Sequence, residues 1–275
     1  MTKIKLALCQ MNVIDDKKAN LEKAASMICE GIENNADFIV LPEMFNCPYS
    51  NDKFIEYCEE ENDSPTLNEI SELAKENGVY ILAGSIPEKE NDKLYNTSYL
   101  FGRDGKIMAK HRKMHLFDID VKDKIAFKES DVLTAGDEFS LADTEFGKIG
   151  IGICYDVRFV ELARIMAEKG AQILFYPGAF NMTTGPAHWE LLFRSRALDN
   201  QVFCVGVAPA LNKDASYHSY GHSIVANPWG EVITQAGENE ELIFCEIDLS
   251  EIKKVREEIP VLKNKRNDLY EVIEK

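Results

Sequence analysis

The sequence predicts one α/β domain carrying two β-sheets. Three observations lead there. Strand-like and helix-like runs alternate along the chain, turn-linked strand pairs are mixed among the strand–helix units, and no repeat, low-complexity segment or linker divides the 275 residues. A chain of that length suits one large domain or two small ones and can bury a sizeable core. The reading is therefore a single domain over residues 1–275.

KIKLALCQM (3–11) reads as the first strand. DDKKANLEKAASMICEGIENN then reads as an amphipathic helix with acidic residues near its start, where the helix dipole favours them. DFIVLPE (37–43) is nearly continuously apolar, the pattern of a strand buried on both faces. PTLNEISELAKENG (65–78) forms a second helix, capped by Ser64 and stopped by Gly78. VYILAGSIP, KLYNTSYLF and KIMAKHRKM follow as strands, with Asp104-Gly105 as a hairpin turn signal between the last two. Residues 114–140 read as irregular. GKIGIGIC is a strand, VRFVELARIMAEKG a helix, AQILFYP a strand, PAHWELLFRSRALDNQ a helix and VFCVGVAPA a strand. SYGHSIVANPWGEVITQAG reads as a hairpin, before the strand ELIFCEID and a last helix from Ser250.

Composition narrows the function classes. The chain is 45% apolar and 28% charged, ordinary for a globular protein. A formal charge of -16 argues against nucleic acid and against acidic membrane surfaces, both of which need a basic footprint. An anionic small substrate is still allowed, because a pocket can be locally positive. The N-terminal residues lack the pattern of a secretory signal or a transit peptide, and no segment approaches the ~20 apolar residues that span a bilayer. Seven scattered cysteines without paired spacing point to a reducing, cytoplasmic compartment rather than a disulfide scaffold or a zinc site.

In an α/β sheet, reactive groups gather beyond the carboxyl ends of strands, where loops diverge and leave a crevice. Glu43 follows DFIVLP, Lys113 follows KIMAKHR and Cys154 follows KIGIGI. A carboxylate, an ammonium and a thiol converging from such places suit nucleophilic catalysis. A free thiol titrates near ~8.5, so at neutral pH it needs a base. Glu43 can take its proton and return it to a leaving amine. Lys113 can stabilise the oxyanion, with the N–H of Tyr155 as second donor. Cys154 then carries a thioester that a water activated by Glu43 hydrolyses. Each residue alone has a plainer reading: a solvated or capping carboxylate, a solvated basic run in KHRK, and a buried cysteine filling the core.

As a set, LPEMF around Glu43, HRKMHLFD around Lys113 and GIGICYDVRFVEL around Cys154 resemble the nitrilase, or carbon-nitrogen hydrolase, superfamily. The resemblance keeps the family's order and covers essentially the whole chain. It implies that Glu43, Lys113 and Cys154 are catalytic. It also implies that Glu129, in AFKESDVLTAGD, is a second glutamate that hydrogen-bonds near the lysine and helps position substrate. The implied fold is a four-layer α-β-β-α sandwich, usually dimeric, with no metal or organic cofactor. LPEMFNCPY, HLFDIDV, YPGAFNMTTGPAHWELLFRSRALDNQ, GHSIVANPWGEV and IPVLKNKRNDLY are similar to the omega-amidase branch. That likeness implies release of ammonia from the terminal amide of 2-oxoglutaramate or 2-oxosuccinamate.

Such a substrate is anionic, and Arg158 lies four residues after the nucleophile, where a guanidinium can hold a carboxylate bidentately. A pair with Asp156 or Glu161 is its structural alternative. The resemblance assigns Thr184 to the same carboxylate, and Tyr49 is placed at the pocket wall, with packing as its alternative. His111 and His115 lack the glutamate of a zinc-protease motif, and the glycines near 150 do not complete a nucleotide loop. Asp156 defaults to a structural hydrogen bond and His188 is unassigned. Residues 250–275 read as a C-terminal helix and a tail that packs on a partner subunit, making a homodimer. Two other readings compete: another branch of the same fold, such as an N-carbamoyl amidohydrolase or a peptide-amide hydrolase, and a non-catalytic interaction protein.

Overall fold

The computed structural model describes residues 3–275. Its first sheet begins with β1 (Lys3–Gln10), helix α1 (Lys17–Glu33) and β2 (Phe38–Val40). Helices α2 (Asn51–Tyr57) and α3 (Pro65–Asn77) lead to β3 (Tyr80–Leu82), β4 (Ile86–Glu90), β5 (Lys93–Phe101) and β6 (Ile107–Arg112). A hairpin of β7 (Asp118–Val121) and β8 (Ile125–Lys128) follows, then a 3-10 turn (Glu129–Asp131). The second sheet starts with β9 (Ser140–Thr144) and β10 (Gly147–Ile151), followed by a 3-10 turn (Cys154–Arg158), α4 (Val160–Glu168) and β11 (Ala171–Pro177). It continues through α5 (Gly185–Asn200), β12 (Phe203–Val207), β13 (Ile224–Ala226) and β14 (Val232–Gln235). The chain returns as β15 (Glu241–Asp248) and ends with α6 (Ser250–Glu258) and a tail.

The strands make two large mixed sheets. β1, β2 and β3 are parallel, β15 closes one edge against β1, and β5 joins β3, β4 and β6. In the other sheet β10, β11 and β12 are parallel, with β9 on one side and β13 and β14 on the other. Leu6, Phe38 and Val40 of the first sheet share one core with Ile149, Phe175 and Phe203 of the second. The outer face of the first sheet buries residues of α1 and α3, including Ala24, Ile28, Leu67 and Ile70. That of the second buries Leu162 and Met166 of α4 with Trp189 and Phe193 of α5. The layers are thus α-β-β-α, as the resemblance implied. Each fully buried Phe, Leu or Ile contributes about 1.5–3 kcal/mol, so the three apolar layers dominate folding.

Several local expectations hold for stated reasons. Ser64 Oγ accepts from Leu67 N–H at 3.0 Å, and Gly78 stops α3 in the left-handed region at φ 59°. Other elements differ from the sequence reading. Residues 114–140, read as irregular, hold the β7–β8 hairpin and the start of β9. Their short strands alternate exposed and half-buried residues and bury too little to show a pattern. Helix α2 was not anticipated because it is only 7 residues long. The helix read from Val157 begins at Val160, after the 3-10 turn.

VYILAGSIP is not one uninterrupted strand. Leu82 pairs with Leu100 and Ile86 with Thr97, so residues 83–85 bulge by one residue on one edge of β5. The bulge holds the turn that follows β2. Ser85 N–H donates to Pro42 O at 3.3 Å, Phe45 N–H donates to Ser85 O at 3.2 Å, and Met44 N–H donates to Ser85 Oγ at 3.1 Å. Gly84 lies at φ 30°, and a Cβ there would stand 1.9 Å from Pro42 O. Both facts exclude a side chain. Gly84→Ala is expected to lower the unfolding free energy by more than about 2 kcal/mol. Urea denaturation checks this, and a loss below about 0.5 kcal/mol would contradict the account.

Candidate active site

Glu43 leaves β2 after Leu41-Pro42 and is fully buried. Lys113 extends the β5–β6 ladder by one residue, its N–H donating to Asn96 O at 2.8 Å. Opposed residues of a ladder point to the same face. Lys113 Nζ and Asn96 Nδ2 accordingly both donate to Glu43 Oε1, at 3.0 and 2.8 Å. Glu43 Oε2 accepts from Ala179 N–H at 2.7 Å, just beyond β11. One carboxylate therefore ties the two sheets together at their strand ends.

Glu129 is delivered by the β7–β8 hairpin. Its Oε1 accepts from Lys113 Nζ at 2.9 Å and from Tyr49 Oη at 2.6 Å, while Phe117 N–H donates to Oε2 at 2.6 Å. Lys113 is thus a fully buried ammonium held between two buried carboxylates. Burial opposes its charge, but Glu129 and Glu43 outweigh that and hold its pKa well above the usual lysine value. Burial likewise raises Glu129, which Lys113 opposes. Tyr49 is held well above the ordinary phenol range by burial and then by Glu129 and Glu43, so it stays protonated and donates.

Cys154 opens the 3-10 turn that follows β10 and is 3% exposed. Its φ of 46° is left-handed, a strained conformation for a residue with a Cβ, and it turns the chain sharply. Burial and then the Glu43 carboxylate push the thiol well above its ordinary pKa, against the pull of Lys113. The resting sulfur is therefore a thiol, with the Glu43 carboxylate beside it. Tyr155 stands second in the turn, where backbone N–H groups point away from the turn's own carbonyls.

Asp156, left as a structural default above, holds this elbow. Its Oδ2 accepts from Ile153 N–H at 2.9 Å and faces His111 Nε2 at 3.0 Å. Its Oδ1 accepts from His115 N–H at 3.0 Å and faces His115 Nδ1 at 2.7 Å. Burial alone would raise this carboxyl, but the hydrogen bonds from both histidines and Ile153 overcome it and hold it well below the carboxylate range.

Arg158 does not pair with Asp156 or Glu161. Its guanidinium lies 4.8 Å from the Phe180 ring and 5.4 Å from the Tyr155 ring, and Nη1 lies 3.2 Å from His188 Nδ1. Burial and then the Arg158 charge lower the His188 pKa, so a neutral imidazole accepts that bond. Thr184 precedes α5, and its Oγ1 donates to Asn181 Oδ1 at 3.3 Å. A cavity of about 380 Å³ opens beside Glu43 and Tyr49, walled by Met44, Ala179 and Tyr217. Arg158 and Thr184 are not in its wall. Tyr49 stacks on Tyr217 at 4.6 Å. Asn96 was missed in the sequence, although an asparagine within the apolar run KLYNTSYLF contradicts strand preference and is itself a signal.

Residues 5–257 match the carbon-nitrogen hydrolase family. The chain is 51% identical over 272 residues to an omega-amidase of Homo sapiens, covering 99% of this chain and 98% of that protein. It is 52% identical over 276 residues to an omega-amidase of Xenopus laevis, covering 100% and 99%. Among solved structures, a Saccharomyces cerevisiae member of branch 10 of the nitrilase superfamily aligns with a TM-score of 0.88 at 44% identity, covering 96% of this chain and 97% of that one. The NitFhit protein of C. elegans aligns with a TM-score of 0.89 at 35% identity, covering 98% and 66%.

Asp156→Asn keeps the shape but removes the charge that two histidines face. Because the folded pKa lies below the unfolded one, the carboxylate's contribution is complete above the unfolded value near ~3.9 and fades as pH falls toward the folded one. The variant is expected to lose about 3 kcal/mol at pH 6, and its deficit to shrink by about 1 kcal/mol at pH 3. Urea unfolding at both pH values measures this. A deficit equal at both would contradict the electrostatic role.

Proposed function

Because the chain belongs to the carbon-nitrogen hydrolase family, we propose that it acts as a cysteine-dependent omega-amidase on 2-oxo dicarboxylic acid monoamides. The observation that carries this reading is the buried Lys113 held between Glu43 and Glu129, with the charges of that cluster bearing on the buried Cys154 thiol. Full-length likeness to omega-amidases supports the branch.

Cys154 Sγ attacks the amide carbon as Glu43 takes the thiol proton. The oxyanion is met by Lys113 Nζ and the Tyr155 N–H, and preorganised donors of this kind make the largest catalytic contribution in such sites. Glu43 gives its proton to the departing nitrogen, ammonia leaves, and a thioester remains. Water then attacks that thioester while Glu43 takes one of its protons. Collapse expels the sulfur, which recovers the proton from Glu43, and the carboxylic acid is released. Glu129 and Tyr49 keep Lys113 charged and aimed. Arg158 meets the substrate's far carboxylate, with Thr184 beside it, and burial strengthens that contact by excluding water.

The seven free cysteines support a reducing, cytoplasmic setting, and no helix among the described residues is long and apolar enough to cross a membrane. Leu269, Tyr270 and Ile273 are exposed on the C-terminal tail, which supports a homodimer in which that tail meets the partner. Light scattering should return twice the chain mass of 31.1 kDa, and a monomer would overturn the dimer.

The decisive assay measures ammonia from 2-oxoglutaramate, succinamate, N-carbamoyl-β-alanine and a simple nitrile. Turnover confined to the dicarboxylic monoamides is expected, with Cys154→Ala reducing it at least about 10³-fold. Ammonia from the carbamoyl compound alone would replace this reading with another branch. In the same panel Arg158→Ala should lower kcat/KM about 10²-fold for carboxylate-bearing amides while sparing a neutral amide. Equal losses on both would remove Arg158 from recognition.

A further inference from the structure

Among the described residues, three side chains leave a buried nitrogen donor without a partner: Arg158 through Nε, Asn181 through Nδ2 and Arg256 through Nε. Two of these three lie around Phe180, which shares a buried cluster with Cys154. Arg158 lies over the Phe180 ring, and Asn181 is the next residue along the chain. An unsatisfied buried donor costs about 1–3 kcal/mol, so such donors mark places where a ligand supplies the acceptor.

The orientation of the Asn181 amide follows from its surroundings. Oδ1 accepts from Thr183 N–H at 2.9 Å and Thr184 N–H at 3.0 Å, and backbone donors there require an oxygen. Nδ2 is therefore turned the other way, with the residue only 4% exposed. It faces Tyr217, whose hydroxyl donates to Ala179 O, but Nδ2 itself hydrogen-bonds to no acceptor. Tyr217 lines the cavity beside Glu43 and stacks on Tyr49, and Asn181 is bridged through its backbone to Ser219 of the same wall, which brings the amide to the edge of the site.

We infer that Asn181 is a further specificity-determining residue, its Nδ2 donating to the 2-oxo oxygen of the substrate while Arg158 holds the adjacent carboxylate. This deepens the omega-amidase reading and rests on it. The division follows charge: a guanidinium suits the carboxylate, and a neutral amide suits a neutral carbonyl. Two separate donors suit two separate acceptor groups, which a 2-oxo acid has and its unsubstituted analogue lacks. A pocket built to donate a hydrogen bond disfavours a ligand that cannot accept it, because the donor is left buried and unpaired.

The test compares kcat/KM for 2-oxoglutaramate and for glutaramate, which share the amide, chain length and carboxylate and differ in the oxo group. Asn181→Asp keeps an acceptor for Thr183 and Thr184 while removing the donor; Asn181→Ala removes the donor without adding charge. The wild type should favour the 2-oxo amide, and both variants should lower that preference about tenfold or more. Charge repulsion or partial misfolding cuts both substrates together and leaves the ratio unmoved. An unchanged ratio in both variants, or a wild type without preference, overturns the role of Asn181 while the amidase reading stands. A wild type that hydrolyses neither amide overturns that reading and this one with it.

Discussion

A fully buried lysine ammonium is the constraint around which the site is arranged. Lys113 has no solvent to stabilise its charge, and an unpaired buried charge of this kind is untenable. Two carboxylates from distant parts of the chain meet that demand, Glu43 beyond β2 and Glu129 below the β7–β8 hairpin. Each is then fixed from its other side. Ala179 N–H holds Glu43 from the second sheet, and Phe117 N–H holds Glu129 from its own hairpin. The ion cluster thus depends on the register of both sheets. Loss of any one support would leave a charge unpaired elsewhere.

The same arrangement divides the electrostatic labour. Lys113 stays charged, and Cys154 rests as a neutral thiol because burial and Glu43 oppose the thiolate more than Lys113 favours it. A site that kept the sulfur charged at rest beside Glu43 and Glu129 would hold three buried anions against one lysine. A neutral thiol avoids that. Around the sulfur, the strained backbone of Cys154 is held by Asp156, which binds Ile153 on one side and two histidines on the other. Asp156, read from the sequence as a structural hydrogen bond beside Cys154, is its brace.

Much of the fold was legible because parallel strands buried on both faces leave continuous apolar runs, and caps such as Ser64 and Gly78 act within a few residues. The elements that escaped were those whose stability is not local. The β7–β8 hairpin carries half-exposed, charged strands with little periodicity, yet it delivers Glu129. The bulge at Gly84 is invisible in VYILAGSIP, since what forbids a side chain there is the carbonyl of Pro42, forty-two residues upstream. Asn96 and Asn181 were passed over for a related reason. An asparagine announces a polar contact without naming its partner.

By itself the sequence determined the layered α/β architecture and the identity of the three groups at strand ends, since apolar period and local motif are written in consecutive residues. Only the tertiary structure decided what those groups are in energetic terms. Lys113, in a basic run that reads as solvated surface, is buried because β5 and β6 turn it and Asn96 onto the same carboxylate. Arg158, with two acidic neighbours in sequence, pairs with neither because the turn after Cys154 swings it over Phe180. Burial and pairing are properties of distance in space, and a charge's free energy depends on both far more than on its neighbours along the chain.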